Sequence, residues 1–210
     1  MDRVGLMKRA VHRTLVIAAS LFALPVAADA HLTGTGLGPF YDGVTHFFLS
    51  PEQIIPVLAL SLFAGLRGKR TGRIALFLLP TAWFVGGLIG LRWPVAGPFT
   101  LLACFSFLVL GALVASDADL SPRLVAGLAL VFGLALGYAN GSDFSPTNVG
   151  TLGVLGTAAS LFVLVTLAAA LVASLRAPWT RIVVRVAGSW IVAAGLLLLG
   201  WTFHSHGPKL

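Results

Sequence analysis

The sequence predicts an all-α integral membrane protein: a compact bundle of six transmembrane helices that follows a cleavable signal peptide. Of the 210 residues, 58% are hydrophobic and only 10% are charged, whereas soluble proteins have roughly 25% charged residues. Several stretches without a charge reach about 18 residues, the length that crosses about 30 Å of hydrocarbon. A β-barrel would instead show short segments of alternating hydrophobicity.

The first thirty residues have the pattern of a secretory signal peptide. A basic stretch ends at Arg13, residues 14–24 are apolar, Pro25 ends the apolar run, and Ala28-Asp29-Ala30 fits the cleavage site. An apolar run of this length is too short to span a bilayer. Cleavage after Ala30 would make residues 31–210 the mature membrane domain, and an uncleaved N-terminal anchor is the alternative.

Six apolar stretches and short polar connections predict the bundle. The stretches are residues 53–66, 74–91, 99–115, 124–139, 151–175 and 182–201. Turn-forming residues occupy the connections at 67–70, 92–98, 116–122, 140–146 and 176–178. Because the connections are short, consecutive helices should be antiparallel neighbours. Glycines at small-xxx-small spacing, as in Gly86 with Gly90 and Gly133 with Gly137, predict close helix–helix contacts.

The distribution of positive charge predicts the orientation. Connections one, three and five carry eight Lys and Arg residues, whereas the opposite side carries only Arg92 and Lys209. The positive-inside rule places the odd connections in the cytoplasm and both mature termini outside, in a bacterial inner membrane. No basic stripe with interleaved aromatic residues remains despite the net charge of +7, so no nucleic-acid partner is expected.

Four of the five histidines flank the apolar stretches: His31 and His46 precede the first, and His204 and His206 follow the last. An even number of crossings puts all four on the same side. Imidazole is the commonest protein ligand of transition metals, so the pattern predicts an extracytoplasmic site for a divalent metal ion.

Residues 31–50 form a short extracytoplasmic segment that contains His46. Residues 41–49 are expected to form a short helix at the interface, with Asp42 and His46 on one face at i and i+4. The Asp42 carboxylate could ligate a metal, orient the imidazole, or form a purely structural pair with it. Ser50 is expected to cap the next helix, with Pro51 at its first position and Gln53 completing a capping box, while Glu52 favours the helix dipole.

The remaining histidines offer conditional ligands. His204 and His206 would point the same way in an extended segment and could close on one ion. His31, if it became the N-terminus, would supply an α-amine and an imidazole, which suits Cu(II) or Ni(II). A flexible histidine without a function is the alternative at this position.

No motif indicates an enzyme or an organic cofactor. The central turns of the six stretches contain no Asp, Glu, Lys, Arg or His, which proton relays and ion-coupled carriers usually need. The sequence has no Gly-x-Ser-Gly of an intramembrane serine protease and no phosphate-binding glycine loop.

Four sequence features together resemble the HupE/UreJ family. They are the residues Asp42-Gly-Val-Thr-His46, an apolar helix ending in residues 62–66, a short basic turn, and residues 75–84. Thr45 stands where the family motif has Asp and Pro39 where it has an earlier His, and Asp42 or His31 could substitute for these ligands.

The resemblance implies a membrane protein with a cleavable signal peptide, about six spans and a role in the uptake of nickel and sometimes cobalt. The leading interpretation is therefore capture of a divalent metal on the extracytoplasmic side for uptake. A non-transporting accessory protein that helps a metalloenzyme or its maturation proteins is the alternative. A structural bundle without metal is the third.

Overall fold

Seven α-helices make up the part of the chain that the computed structural model describes, namely residues 34–95, 99–174 and 178–206. These residues contain no strand, so the predicted all-α class is confirmed. They belong to one compact unit, Leu32–Leu210. The predicted signal peptide, residues 1–30, lies outside the described residues.

The six predicted apolar stretches each correspond to one helix. In chain order the helices are α1 Pro39–Leu49, α2 Pro51–Leu66, α3 Lys69–Arg92, α4 Thr100–Ser116, α5 Pro122–Phe144, α6 Gly150–Ser174 and α7 Pro178–His206. The short helix expected before the first stretch is α1. Ser50 is the N-cap of α2 and Pro51 its first residue, as predicted.

The helices support a multi-pass membrane location. Four segments are long and apolar enough to cross a membrane: α3, α5, α6 and the Trp179–His204 part of α7. A 75° bend separates α1 from α2, and the two together would give a fifth apolar segment. Helix α4 is also apolar, but it has only 17 residues.

Glycines bring α3 and α5 into backbone contact, as their spacing predicts. A β-carbon on Gly86 would overlap the carbonyl of Leu134, and one on Gly137 would overlap the backbone of Trp83. The contact continues to the end of α5, where Gly141 lies against the backbone of Gly87. Helices at this distance gain dispersion contacts along their whole length, so α3 and α5 form a closely packed pair.

The predicted connection at residues 140–146 is partly wrong, because α5 continues through Phe144. The sequence Asn-Gly-Ser-Asp reads locally as a turn. Tertiary packing prevails here, since Gly141 lies on α3 and Asn140 is fully buried. The last turn of α5 therefore belongs to the bundle and carries a polar side chain into it.

Ion pairs tie the odd connections together at one end of the bundle. Arg67 pairs with Asp117 and, at 3.0 Å, with Asp119. Arg181 reaches the other oxygen of Asp117 at 2.7 Å. Connections one, three and five therefore meet at one end, as helices of alternating direction require. The expectation that consecutive helices are neighbours is wrong for α3 and α4, because α3 packs mainly on α5 and α4 mainly on α7. Helix α1 lies at the opposite end, near the start of α6.

Candidate functional site

Helix α1 is held against α6 by glycines on both helices. A β-carbon on Gly43 would overlap the backbone of Gly153, and one on Gly156 would overlap the carbonyl of Phe40. Thr157 also donates a hydrogen bond to the carbonyl of Gly43, with an O–O distance of 3.3 Å. This contact fixes one face of α1 against the bundle. Residues at i+3 share a helix face, so a residue three positions after Gly43 also faces inward.

His46 is that residue, and its imidazole is half-buried. The ring meets Phe144 edge-on, with 4.9 Å between ring centroids. Its Nε2 atom lies 3.1 Å from Nε2 of Gln53, close enough for a hydrogen bond. The predicted site residue therefore lies where α1, α2 and the end of α5 meet.

Gln53 does not complete the predicted capping box. No side chain caps the start of α2. The amide of Gln53, whose residue is 4% exposed, turns instead to His46 and to Asn140. The backbone N–H of Ser50, which a capping box would use, already donates to the carbonyl of Phe47, and Gln53 instead satisfies two buried partners. The residue is thus part of a buried polar group and not of a helix cap.

Asn140 and Trp83 extend this group into the bundle. Asn140 donates from Nδ2 to Oε1 of Gln53 at 3.3 Å, and Trp83 donates from Nε1 to Oδ1 of Asn140 at 3.4 Å. Both residues are fully buried. We call the four side chains His46, Gln53, Asn140 and Trp83 the polar relay. It joins α1, α2, α5 and α3 at the end of the bundle opposite the ion pairs.

Sequence reasoning missed Asn140 and Trp83 as parts of the site. Asn140 falls in a predicted connection, and Trp83 falls in an apolar stretch and among the family-like residues 75–84. One signal was available: Gly133, Gly137 and Gly141 recur at every fourth position, which continues the helix past Asn140. Nothing local, however, connects these residues to Gln53 or His46.

Asp42 does not pair with His46, and the described residues include no ion pair between them. Its Oδ1 atom accepts two hydrogen bonds from Thr35, one from Oγ1 at 2.7 Å and one from the backbone N–H at 2.6 Å. The Thr35 hydroxyl and then its backbone N–H hold the pKa of Asp42 below its ordinary value. Asp42 therefore fastens the segment that precedes α1 onto the first turn of that helix.

The other predicted ligands are not brought to His46 by the described part of the chain. His204 is exposed in the last turn of α7. That helix runs through His206, so the extended backbone expected for residues 204–206 is wrong. His204 and His206 therefore have no common direction in which to bind one ion, because residues two apart on a helix do not share a face. His31 and the side chain of His206 lie outside the described residues.

The described residues contain no group of three or more His, Cys, Asp or Glu side chains that could hold a metal ion. His46 therefore stands with amide neighbours and not within a complete ligand set. The Nε2 atom of His46 faces the amide nitrogen of Gln53, so a metal ion at this imidazole would need further ligands.

A cavity of about 470 Å³ opens beside the polar relay. Helices α2, α4, α5 and α7 line it, and its polar residues include Glu52, Gln53, Thr100 and Asp143. The exposed side chains of Glu52 and Asp143 give it a negative character that attracts cations. Gln53 lines this cavity and also contacts His46.

Comparisons with known proteins give one match. No curated protein and no solved structure matches this chain. The model of the family described as HupE / UreJ protein matches residues 18–198. This match includes α1, the polar relay and the acidic cavity, and it extends over most of the chain. The protein therefore belongs to the HupE / UreJ family.

Proposed function

We propose that this protein is a non-enzymatic inner-membrane protein that captures a divalent metal ion on its extracytoplasmic side for uptake, with His46 as the anchoring ligand. Family membership suggests a nickel or cobalt transporter-like accessory protein. Nickel is the first choice of substrate, with cobalt and copper as alternatives, because all three accept imidazole nitrogen. The observation that carries the proposal is the inward position of His46 at the junction of α1, α2 and α5.

The proposed topology has six spans, α2 to α7, with α1 at the extracytoplasmic end. The end of the bundle that holds Arg67 and Arg181 would face the cytoplasm, because it gathers the basic connections. Helices α2 and α4 have 16 and 17 residues, which corresponds to about 24–26 Å at 1.5 Å per residue. Local thinning of the bilayer accommodates spans of this length. N-terminal sequencing of the mature protein should identify His31 as its first residue.

The remaining ligands would come from the segment that precedes α1. The hydrogen bonds from Thr35 to Asp42 bring this segment back onto α1. His31 is only four residues before Thr35, so covalent geometry keeps their Cα atoms within about 15 Å. An N-terminal His31, with its α-amine, is the candidate donor from this segment, and Asp42 is the candidate on α1 itself. His204 and His206 are the candidates from the other terminus.

A second function is supported by a different observation. The described residues include no complete metal-ligand cluster, as would suit a protein that assists a metalloenzyme or its maturation proteins without transporting the ion. In this alternative, the extracytoplasmic end of the bundle receives a partner or passes on a metal that another protein carries. Loss of the protein would then change the activity of the metalloenzyme without changing the metal content of the cell.

The test is metal accumulation in cells that express the wild type or the His46→Ala variant, compared with cells that lack the protein. Phe48→Ala is the matched control, because Phe48 lies on the same helix and is 50% exposed. We expect His46→Ala to reduce nickel accumulation to the level of cells without the protein and Phe48→Ala to retain it, at equal amounts in the membrane. Full accumulation with His46→Ala would exclude this site. Equal accumulation in all cells, with a lower activity of a nickel enzyme in those lacking the protein, would favour the accessory function.

A further inference from the structure

The polar relay has a fixed direction because one end can only donate. The indole nitrogen of Trp83 carries a hydrogen and has no lone pair to accept with. Its partner on Asn140 must therefore be the carbonyl oxygen, Oδ1, at 3.4 Å. This turns the Asn140 amide nitrogen towards Gln53, where it donates to Oε1 at 3.3 Å.

The direction of these hydrogen bonds also fixes the protonation of His46. Because Oε1 of Gln53 faces Asn140, the amide nitrogen of Gln53 faces the imidazole, 3.1 Å from its Nε2 atom. An amide nitrogen only donates, so Nε2 of His46 must accept and must carry no hydrogen. The hydrogen of the neutral ring is then on Nδ1.

Burial makes the direction hard to reverse. Trp83 and Asn140 are fully buried, and Gln53 is 4% exposed. Reversal of the Asn140 amide would set its nitrogen against the indole N–H, so that two donors would face each other where water cannot intervene. Reversal of Gln53 alone would set its nitrogen against the nitrogen of Asn140 in the same way. Each member of the polar relay therefore constrains the next.

We propose that Trp83, acting through Asn140 and Gln53, holds His46 as the neutral tautomer with hydrogen on Nδ1, and that a divalent metal binds the Nε2 atom in place of the Gln53 amide. The second half rests on the proposed function, and the first half does not. Trp83, Asn140 and Gln53 are positioning residues here, because they act on the ion only through His46. A ring that already presents a lone pair binds a cation without first releasing a proton.

The acidic cavity gives the ion a route to this nitrogen. Gln53 lines the cavity that also holds Glu52 and Asp143. A cation drawn in by the two carboxylates would meet Gln53 before His46. Displacement of the Gln53 side chain would expose the Nε2 lone pair and free the Gln53 amide oxygen as a second donor to the ion.

The test is nuclear magnetic resonance of the full-length protein in lipid nanodiscs, with the histidine rings labelled with ¹⁵N. In the wild type near pH 7, the His46 signals, identified by their loss in His46→Ala, should show a protonated Nδ1 and an unprotonated Nε2. Exposed His204 provides an internal comparison without such a constraint. A His46 ring with hydrogen on Nε2, or on both nitrogens, would overturn the proposal without the need for any further variant.

Variants then test whether the polar relay is the cause. In Trp83→Phe the donor is lost and Asn140 is free to reverse, so a second His46 tautomer should appear. Asn140→Leu should have the same effect by interrupting the polar relay. Phe63→Leu is the control, because Phe63 is a fully buried aromatic residue outside the relay, and it should retain the single tautomer. An unchanged single tautomer in both relay variants would overturn the role of Trp83.

Addition of Zn²⁺, a diamagnetic probe for a divalent metal, tests the second half separately. Binding at the proposed atom should shift the Nε2 signal of His46 and leave Nδ1 protonated. A shift at Nδ1 with a hydrogen on Nε2 would overturn the assignment of the metal-binding nitrogen. Unchanged signals would contradict metal capture at His46 but leave the tautomer result standing, so the two failures can be distinguished.

Discussion

Asn140→Leu should destabilise the protein by removing the central member of the polar relay. The substitution leaves the Trp83 indole N–H and the Gln53 carbonyl oxygen without the partners that they have at 3.4 and 3.3 Å. An unpaired buried polar group costs about 1–3 kcal/mol, whereas single hydrogen bonds between transmembrane helices average about 0.6 kcal/mol. For two such groups we expect the free energy of unfolding to fall by about 1–6 kcal/mol.

A double-mutant cycle with Trp83→Phe shows whether this loss comes from the hydrogen bonds. Trp83→Phe removes the donor that Asn140→Leu leaves unpaired, so the double variant should lose less than the sum of the two single losses. Equilibrium unfolding in detergent micelles measures all four species. Ser61→Ala is the control, because the Ser61 hydroxyl donates only to Val57 of its own helix. Losses that add to within about 0.5 kcal/mol would refute the reasoning, since they would show no coupling between the two side chains.

Three further predictions follow from the packing and the charges. Gly43→Val should detach α1 from α6 and lower the yield of folded protein. Gly127→Ala is the control, because a β-carbon at Gly127 would meet open space, and it should be neutral or slightly stabilising. Equal yields of the two variants would contradict the close contact between α1 and α6. Arg67→Ala should lower the melting temperature more than Arg181→Ala, because the two side chains are 9% and 54% exposed, and the reverse order would be unexpected. The hydrogen bonds from Thr35 lower the pKa of Asp42, so they stabilise the fold at pH values above the ordinary carboxyl pKa, and this contribution is lost as the pH falls through the folded-state pKa. Asp42→Asn should therefore make amide hydrogen exchange in the segment that precedes α1 less sensitive to acid.

The sequence alone identifies most of the helical architecture because the responsible signals are local. Apolar length, turn residues and the Ser50-Pro51 start of α2 each depend on neighbouring residues, and each corresponds to a helix or a helix boundary in the structure. The charges in the connections are also local signals: connection one and the start of α7 supply arginines, connection three supplies the aspartate, and these residues form the observed ion pairs.

The candidate site was only partly predictable because its partners are far apart in the chain. His46 stood out by residue type and by its place in the family motif. Asn140 is separated from Gln53 by 87 positions and from Trp83 by 57, so no local pattern reports either contact. The capping-box expectation failed for the same reason, since Gln53 has distant buried partners that the helix start cannot reveal.

The packing inside the bundle indicates what a transport function would require. Inside the bundle, the fully buried hydroxyls of Ser61 and Ser106 donate to carbonyls four and three residues earlier in their own helices. Such hydroxyls satisfy their helix and offer no row of ligands across the membrane. An ion that leaves His46 for the cytoplasm would therefore need the helices to separate, and the glycine contacts between α3 and α5 show how closely that pair is packed. We expect uptake to require movement of the helices around the polar relay, whereas an accessory function at the end that holds the relay requires none, so the mobility of α3 against α5 during metal exposure should distinguish the two proposed functions.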